Sequence, residues 1–226
     1  MNLLLIDTSN QPMSIALMND DEVLAIKTTN SKKDHSSQLM PGIQSLFNES
    51  NLKKQELDGI VVAKGPGSYT GVRIGVTVAK TLAYALNTKL YGVSSLKALA
   101  ATIDTNDKRI IVPIFDARRE AVYTGLYQYE NNQLNTIEKD QYISLEALHK
   151  KLNALNQPYV FVGEDTEKLS ELLHGDIETK LPNATVMKHL IHQPENIHTF
   201  VPNYIKLSEA ERNWLNQQKN LSLIHI

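Results

Sequence analysis

An α/β fold built from two copies of one unit is what the sequence predicts, and three observations predict it. Continuous apolar runs at 3–6, 60–63, 90–93, 110–115 and 159–162 have the pattern of strands buried on both faces. Segments with apolar residues at helical spacing separate several of them. The strand, turn and strand that open the chain at 3–18 return at 110–129.

The first unit reads as β-β-β-α-β-α. Its first strand, 3–6, ends in the polar turn Asp7-Thr8-Ser9-Asn10, and strands at 13–18 and 22–28 flank a hairpin at Asn19-Asp20-Asp21. Asp34 is placed to cap a helix over 35–49, with Leu39, Ile43, Leu46 and Phe47 on one face and Pro41 expected to kink it. A strand at 60–63, a glycine-rich loop and a helix over 72–86 follow, then a strand at 90–93 and a helix capped by Ser94 or Ser95 that runs to about 103. The polar stretch 104–108 reads as a boundary.

Beyond it, strands at 110–115, 121–129 and 134–138 are followed by a helix at 145–152, a strand at 159–162 and a helix at 166–173. Superposing Asp7 on Asp116 sets Leu4-Leu5-Ile6 on Pro113-Ile114-Phe115 and Ser14-Ile15-Ala16-Leu17 on Tyr123-Thr124-Gly125-Leu126, without a gap. Short apolar hairpins also align by chance. If the repeat is real, the architecture is actin-like or sugar-kinase-like (ASKHA), with subdomains at 1–104 and 109–226 and the second unit reduced.

Composition sets outer limits. The 226 residues are 42% hydrophobic and 21% charged, as in ordinary globular chains. A net charge of −2 gives no general electrostatic attraction for nucleic acid. The absence of cysteine excludes disulfides, thiolate zinc sites and a cysteine nucleophile. No apolar run reaches the length of a membrane span, so a cytoplasmic protein is expected.

Four of the ten glycines fall in Lys64-Gly65-Pro66-Gly67-Ser68-Tyr69-Thr70-Gly71-Val72-Arg73-Ile74-Gly75. Such a loop serves either a ligand lying on bare peptide groups or a close backbone contact. It fits neither the P-loop pattern, because Val72-Arg73 stands where Lys-Ser/Thr is needed, nor the dinucleotide pattern, because Thr70 takes the place of the third glycine. Gly65, Pro66, Gly67, Ser68, Tyr69 and Thr70 are therefore read as a structural loop, with Ser68 as the cap of the next helix. Actin-like ATPases carry D-x-G-[TS] at the first turn; here Asp7-Thr8-Ser9-Asn10 lacks the glycine, and so does Asp116-Ala117-Arg118-Arg119. Asp7 and Asp116 read as turn caps in preference to a catalytic pair, and Arg118 and Arg119 as surface ion-pairing groups. The nucleophile elbow G-x-S-x-G is missing as well. His189, His192 and His198 read as solvated residues.

Leu4-Leu5-Ile6-Asp7-Thr8-Ser9, His35-Ser36 with Leu39 and Pro41, the glycine stretch from Gly65 to Gly75, Ser94-Ser95-Leu96, Asp116-Ala117-Arg118-Arg119 with Val122-Tyr123, and Pro202-Asn203-Tyr204 together resemble the TsaB (YeaZ) family. The resemblance runs in order along nearly the whole chain. Tyr69 in place of Phe, Ile205-Lys206 in place of Leu-Arg and an apolar tail at 221–226 are its departures.

The resemblance implies a non-catalytic subunit in the synthesis of N6-threonylcarbamoyladenosine in tRNA. It would form a heterodimer with a TsaD-type catalytic subunit, be joined by a TsaE-type ATPase, reach tRNA through the complex and form a homodimer when alone. No cofactor is expected on the chain alone; nucleotide at the partner interface is left open. The catalytic relative uses a helical His-x-x-x-His pair for metal, but His35 is followed by Leu39, so neither a metal nor a catalytic residue is assigned. Gly71, Gly75, Ala79 and Ala83 recur every four residues. Spacing alone suits a partner helix or the chain's own sheet equally. The resemblance favours the partner, giving His35, Leu39, Gly71, Arg73, Gly75, Ala79 and Ala83 as the expected partner-binding set. The competing reading is a stand-alone actin-like ATP-binding enzyme or a glycoprotease-type peptidase.

Overall fold

The structure, a computed structural model, describes residues 1–30 and 34–206; the apolar tail at 221–226 lies outside the described residues. Two mixed sheets share one topology. The first runs β3(Glu22–Thr29), β2(Met13–Asn19), β1(Asn2–Asp7), β4(Gly59–Ala63), β5(Lys89–Val93). The second follows the same path with β9(Gln133–Ser144), β8(Ala121–Glu130), β6(Ile110–Pro113), β10(Tyr159–Val162) and β11(Asp176–Glu178), while the short β7(Phe115–Asp116) also pairs with β8. In both sheets the first three strands are antiparallel and the last two join in parallel. This is the duplicated actin-like fold.

The gapless superposition of the two hairpins needs correction. Asp7 pairs with Ser14 in the first, but Asp116 pairs with Val122 in the second, so Tyr123 lies one position beyond the expected partner. The second turn is one residue shorter, and Arg118, Arg119 and Glu120 run through it with φ of 65°, 55° and 53°. Those are left-handed values that a Cβ disfavours.

Helix α1(His35–Ser50) starts at Asp34, whose carboxylate accepts from the Ser36 N–H at 3.0 Å, and continues through Pro41. Helix α2(Tyr69–Ala85) is capped by Ser68, and α3(Ser95–Ala100) by Ser94. Helix α4(Leu145–Leu155) is capped by Ser144. The helix expected over 166–173 is α5(Asp165–Lys168), much shorter than the apolar spacing suggested.

Alternation along β1 sends Leu4 and Ile6 to the layer covered by α1 and α2, and Leu3 and Leu5 to the opposite layer. Helix α3 joins two cores, with Ala98 against the first sheet and Leu96, Leu99 and Ala100 against the second. Helix α4 covers the far face of the second sheet through Leu145, Leu148 and Leu152. The chain then returns to the first half. Residues 184–203, grouped by sequence with the second unit, set Ala184, Met187 and Leu190 on Leu3 and Leu5, and Phe200 beneath α2.

Candidate functional site

The glycine loop leaves β4 as Lys64, whose ammonium pairs with Glu195 at 2.7 Å. Gly65 exchanges hydrogen bonds with the first residue of α3: its N–H donates to Ser95 Oγ at 3.0 Å and its carbonyl accepts from the Ser95 N–H at 3.1 Å. Gly67 has φ 156° and lies on the Ser9 carbonyl, with no room for a Cβ. The Ser68 N–H donates to that carbonyl at 2.7 Å. One turn on, Thr8 Oγ1 donates to the Gly71 carbonyl at 2.7 Å. A Cβ on Gly71 or Gly75 would strike the backbone oxygen or the hydroxyl of Thr8. The bare backbone of Gly67, Gly71 and Gly75 therefore faces the β1–β2 turn of the same chain, while that of Gly65 faces the Asn203 carbonyl.

That turn is held from within. Asp7 is buried and accepts from the Ser9 N–H at 2.9 Å and from Ser9 Oγ at 2.7 Å. Burial raises its pKa above the usual carboxylate range, against the lowering effect of those hydrogen bonds. In the second turn Asp116 accepts from the Arg118 N–H at 2.8 Å and is paired with Lys168. Its pKa is lowered overall: burial opposes this, while Lys168 and the Arg118 N–H favour the charged form. Asp165 Oδ2 links the two turns, accepting from Asn10 Nδ2 and from the Asp116 N–H, both at 3.0 Å. His35 Nε2 lies 2.8 Å from the Asn10 carbonyl oxygen, an orienting contact at the start of α1.

The space left beside Asp7, Ser9 and Asn10 is about 10 Å³. That is about the room one water needs, whereas small-molecule sites measure roughly 300–1,000 Å³. Among the described residues no group of three His, Asp or Glu side chains is arranged to hold a metal ion. No helix described is long and apolar enough to cross a membrane.

The expected partner-binding set divides into two kinds of residue. Leu39, Gly71, Gly75, Ala79 and Ala83 are buried in the chain's own core. The stripe of small residues thus lets α2 approach β1 and β4 closely; it is not a free face, and the expectation that these side chains meet a partner is corrected. His35 is half-buried and Arg73 exposed. The outward surface of the helix pair carries Met40 at 47% exposure and Tyr84 at 69%. A shallow apolar groove lies between the helices, lined by Met40, Ile43, Phe47, Leu82 and Leu86. Sequence reasoning passed over Met40 and Tyr84, although each neighbours an inward residue, Leu39 or Ala83, and large apolar side chains at outward helix positions are themselves a signal.

Arg73 donates from Nε to the Tyr204 hydroxyl at 2.6 Å, and its guanidinium lies 4.0 Å from the Tyr69 ring centroid. The two tyrosine rings are 5.2 Å apart. The Tyr204 hydrogen bond raises the Arg73 pKa further. The segment bearing Tyr204 crosses the glycine loop, where the Asn203 N–H donates to the Lys64 carbonyl at 2.7 Å, and the Lys206 ammonium lies 4.4 Å from the Tyr142 ring centroid on β9.

Comparison with known proteins agrees with this geometry. Residues 22–214 match the model of the family described as TsaD, tRNA N6-adenosine threonylcarbamoyltransferase. A Bacillus subtilis protein named tRNA threonylcarbamoyladenosine biosynthesis protein TsaB is 44% identical over 97% of this chain and 100% of its own length. The Escherichia coli protein of that name is 31% identical over 83% of this chain and 84% of its own. The solved structure of YeaZ from Pseudomonas aeruginosa superposes with a TM-score of 0.79 at 23% identity, covering 90% of this chain and 99% of that one. With the fold, the glycine loop and full-length relatives in agreement, the chain belongs to the TsaB (YeaZ) family.

Proposed function

We propose that this chain is a cytoplasmic, non-catalytic subunit in tRNA threonylcarbamoyladenosine biosynthesis, and that it activates a TsaD-type threonylcarbamoyltransferase by forming a heterodimer with it. The pathway is the one in the names of its relatives. One observation carries the non-catalytic reading: Gly67 and Ser68 lie directly on Ser9 at the turn where an actin-like ATPase would receive phosphate. The room left there suits a water molecule and not a nucleotide.

The helix pair α1 and α2 is the proposed docking surface, through its outward residues Met40, Arg73 and Tyr84 together with His35. Its groove is apolar and its rim polar, the usual anatomy of a protein interface. A homologous fold can use the same patch that a second copy of this chain would use, which accounts for a homodimer in the partner's absence. The TsaE-type ATPase and tRNA join through the complex, and any bound nucleotide would lie against the partner.

The test is reconstitution. The purified chain alone should show neither threonylcarbamoyl transfer nor ATP hydrolysis, and its addition to a TsaD-type partner with the TsaE-type ATPase should restore modification of tRNA. Undiminished modification without the chain, or tight ATP binding by the chain alone, would overturn the reading.

A further inference from the structure

A cavity of about 660 Å³ opens between α3, the β8–β9 hairpin and residues 184–190. It shares no lining residue with the glycine loop or the helix pair. Its volume is that of a small-molecule site, within roughly 300–1,000 Å³.

The walls differ in chemistry. Leu134, Val186 and Leu190 form an apolar side, whereas Lys97, His189 and His192 bring nitrogen groups, and no carboxylate among the described residues lines the cavity. Lys97 is half-buried on the first turn of α3 and forms no ion pair among the described residues. Burial lowers its pKa, and Asp140 works against that from a distance. Asp140 is itself engaged, accepting from Ser94 Oγ at 2.6 Å and from the Tyr127 hydroxyl. A partly desolvated ammonium without a directly paired acid is costly, and a bound anion would offset that cost.

We propose that this cavity binds a small organic anion, its carboxylate or phosphate head against Lys97 with His189 and His192 beside it, and its apolar body along Leu134, Val186 and Leu190. Aromatic and short aliphatic acids or phosphate monoesters have this chemistry. Inorganic phosphate satisfies only the head, and a neutral alcohol only the body.

The experiment is an NMR titration of the full chain with benzoate, phenyl phosphate, inorganic phosphate and benzyl alcohol, following the amides of Ala101, Leu134 and Leu190. At least one of the two organic anions should bind saturably with a Kd below about 1 mM, at least roughly tenfold tighter than benzyl alcohol or inorganic phosphate. The tighter of the two identifies the head group. Lys97→Met should weaken binding roughly tenfold; His189→Gln, at an exposed position, provides a second reading where Lys97→Met lowers the melting temperature. No saturable shift with either organic anion, equal affinity for benzyl alcohol or inorganic phosphate, or unchanged affinity in both variants would overturn the assignment.

Discussion

The Ser68 N–H donates to the Ser9 carbonyl at 2.7 Å, and Gly67 lies flat against the same oxygen. The glycine loop and the β1–β2 turn are therefore one packed unit, and the opening that a phosphate would need is filled by protein. Gly67→Ala adds a Cβ onto that oxygen at a φ of 156°. The expected cost is about 3 kcal/mol or more. Ser68→Ala removes only the helix cap and should cost about 1 kcal/mol. Urea unfolding separates the two; an unchanged midpoint for Gly67→Ala would show that the turn does not depend on this contact.

The helix pair yields an inside-outside prediction. Ala79 is fully buried on the inner face of α2, so Ala79→Leu should overpack the core and cost about 2 kcal/mol. Tyr84 is 69% exposed, so Tyr84→Glu should leave stability within about 0.5 kcal/mol. If the outward face is the docking surface, Tyr84→Glu and Met40→Glu should weaken pairing with the TsaD-type partner at least roughly tenfold. Co-elution and a melting curve on the same preparation check both halves of the statement. Normal pairing with both glutamates in place would move the interface elsewhere.

The buried Asp7 predicts a pH dependence. Its folded pKa is raised by desolvation, so the native state holds a proton that the unfolded state releases above about 4. Its effect on stability is most favourable below that pH and is lost as pH rises through the folded value. Asp7→Asn keeps an oxygen for the Ser9 N–H and hydroxyl but cannot ionise. The variant should therefore be close to wild type in acid and gain relative stability toward neutral pH, by about 1 kcal/mol on the scale of one buried polar group. A stability difference that stays flat with pH would mean that the carboxyl does not titrate differently on folding.

How much of this was legible in the chain depends on which physical signal each element carries. The buried strands and the caps Asp34 and Ser68 could be read, and the cap of α3 narrowed to Ser94 or Ser95, because burial on both faces and helix starts demand particular residue types. Strand β11 could not, since Asp176-Ile177-Glu178 offers a single apolar residue and pairs only because β10 presents an edge. Ala184, Met187 and Leu190 recur every three residues, the period of the 3-10 turns they form; a search tuned to 3.6 passes over them. The stripe Gly71, Gly75, Ala79, Ala83 was visible, but its direction was not. Small residues fit a neighbouring sheet and a neighbouring protein equally well, and only the position of Thr8 settles which one they meet.

The shortened turn of the second hairpin carries the last prediction. Arg119 lies between two other left-handed residues at φ 55° and makes no hydrogen bond or ion pair among the described residues. A Cβ in that region costs roughly 1–2 kcal/mol, part of which glycine would give back through its freer unfolded chain. Arg119→Gly should therefore raise stability by about 0.5 kcal/mol, and Arg119→Val, with a branched Cβ, should lower it by about 1 kcal/mol. The opposite signs distinguish backbone conformation from charge, because both variants remove the same guanidinium. Equal shifts in urea midpoint for the two variants would place the effect on charge and leave the left-handed turn without energetic weight.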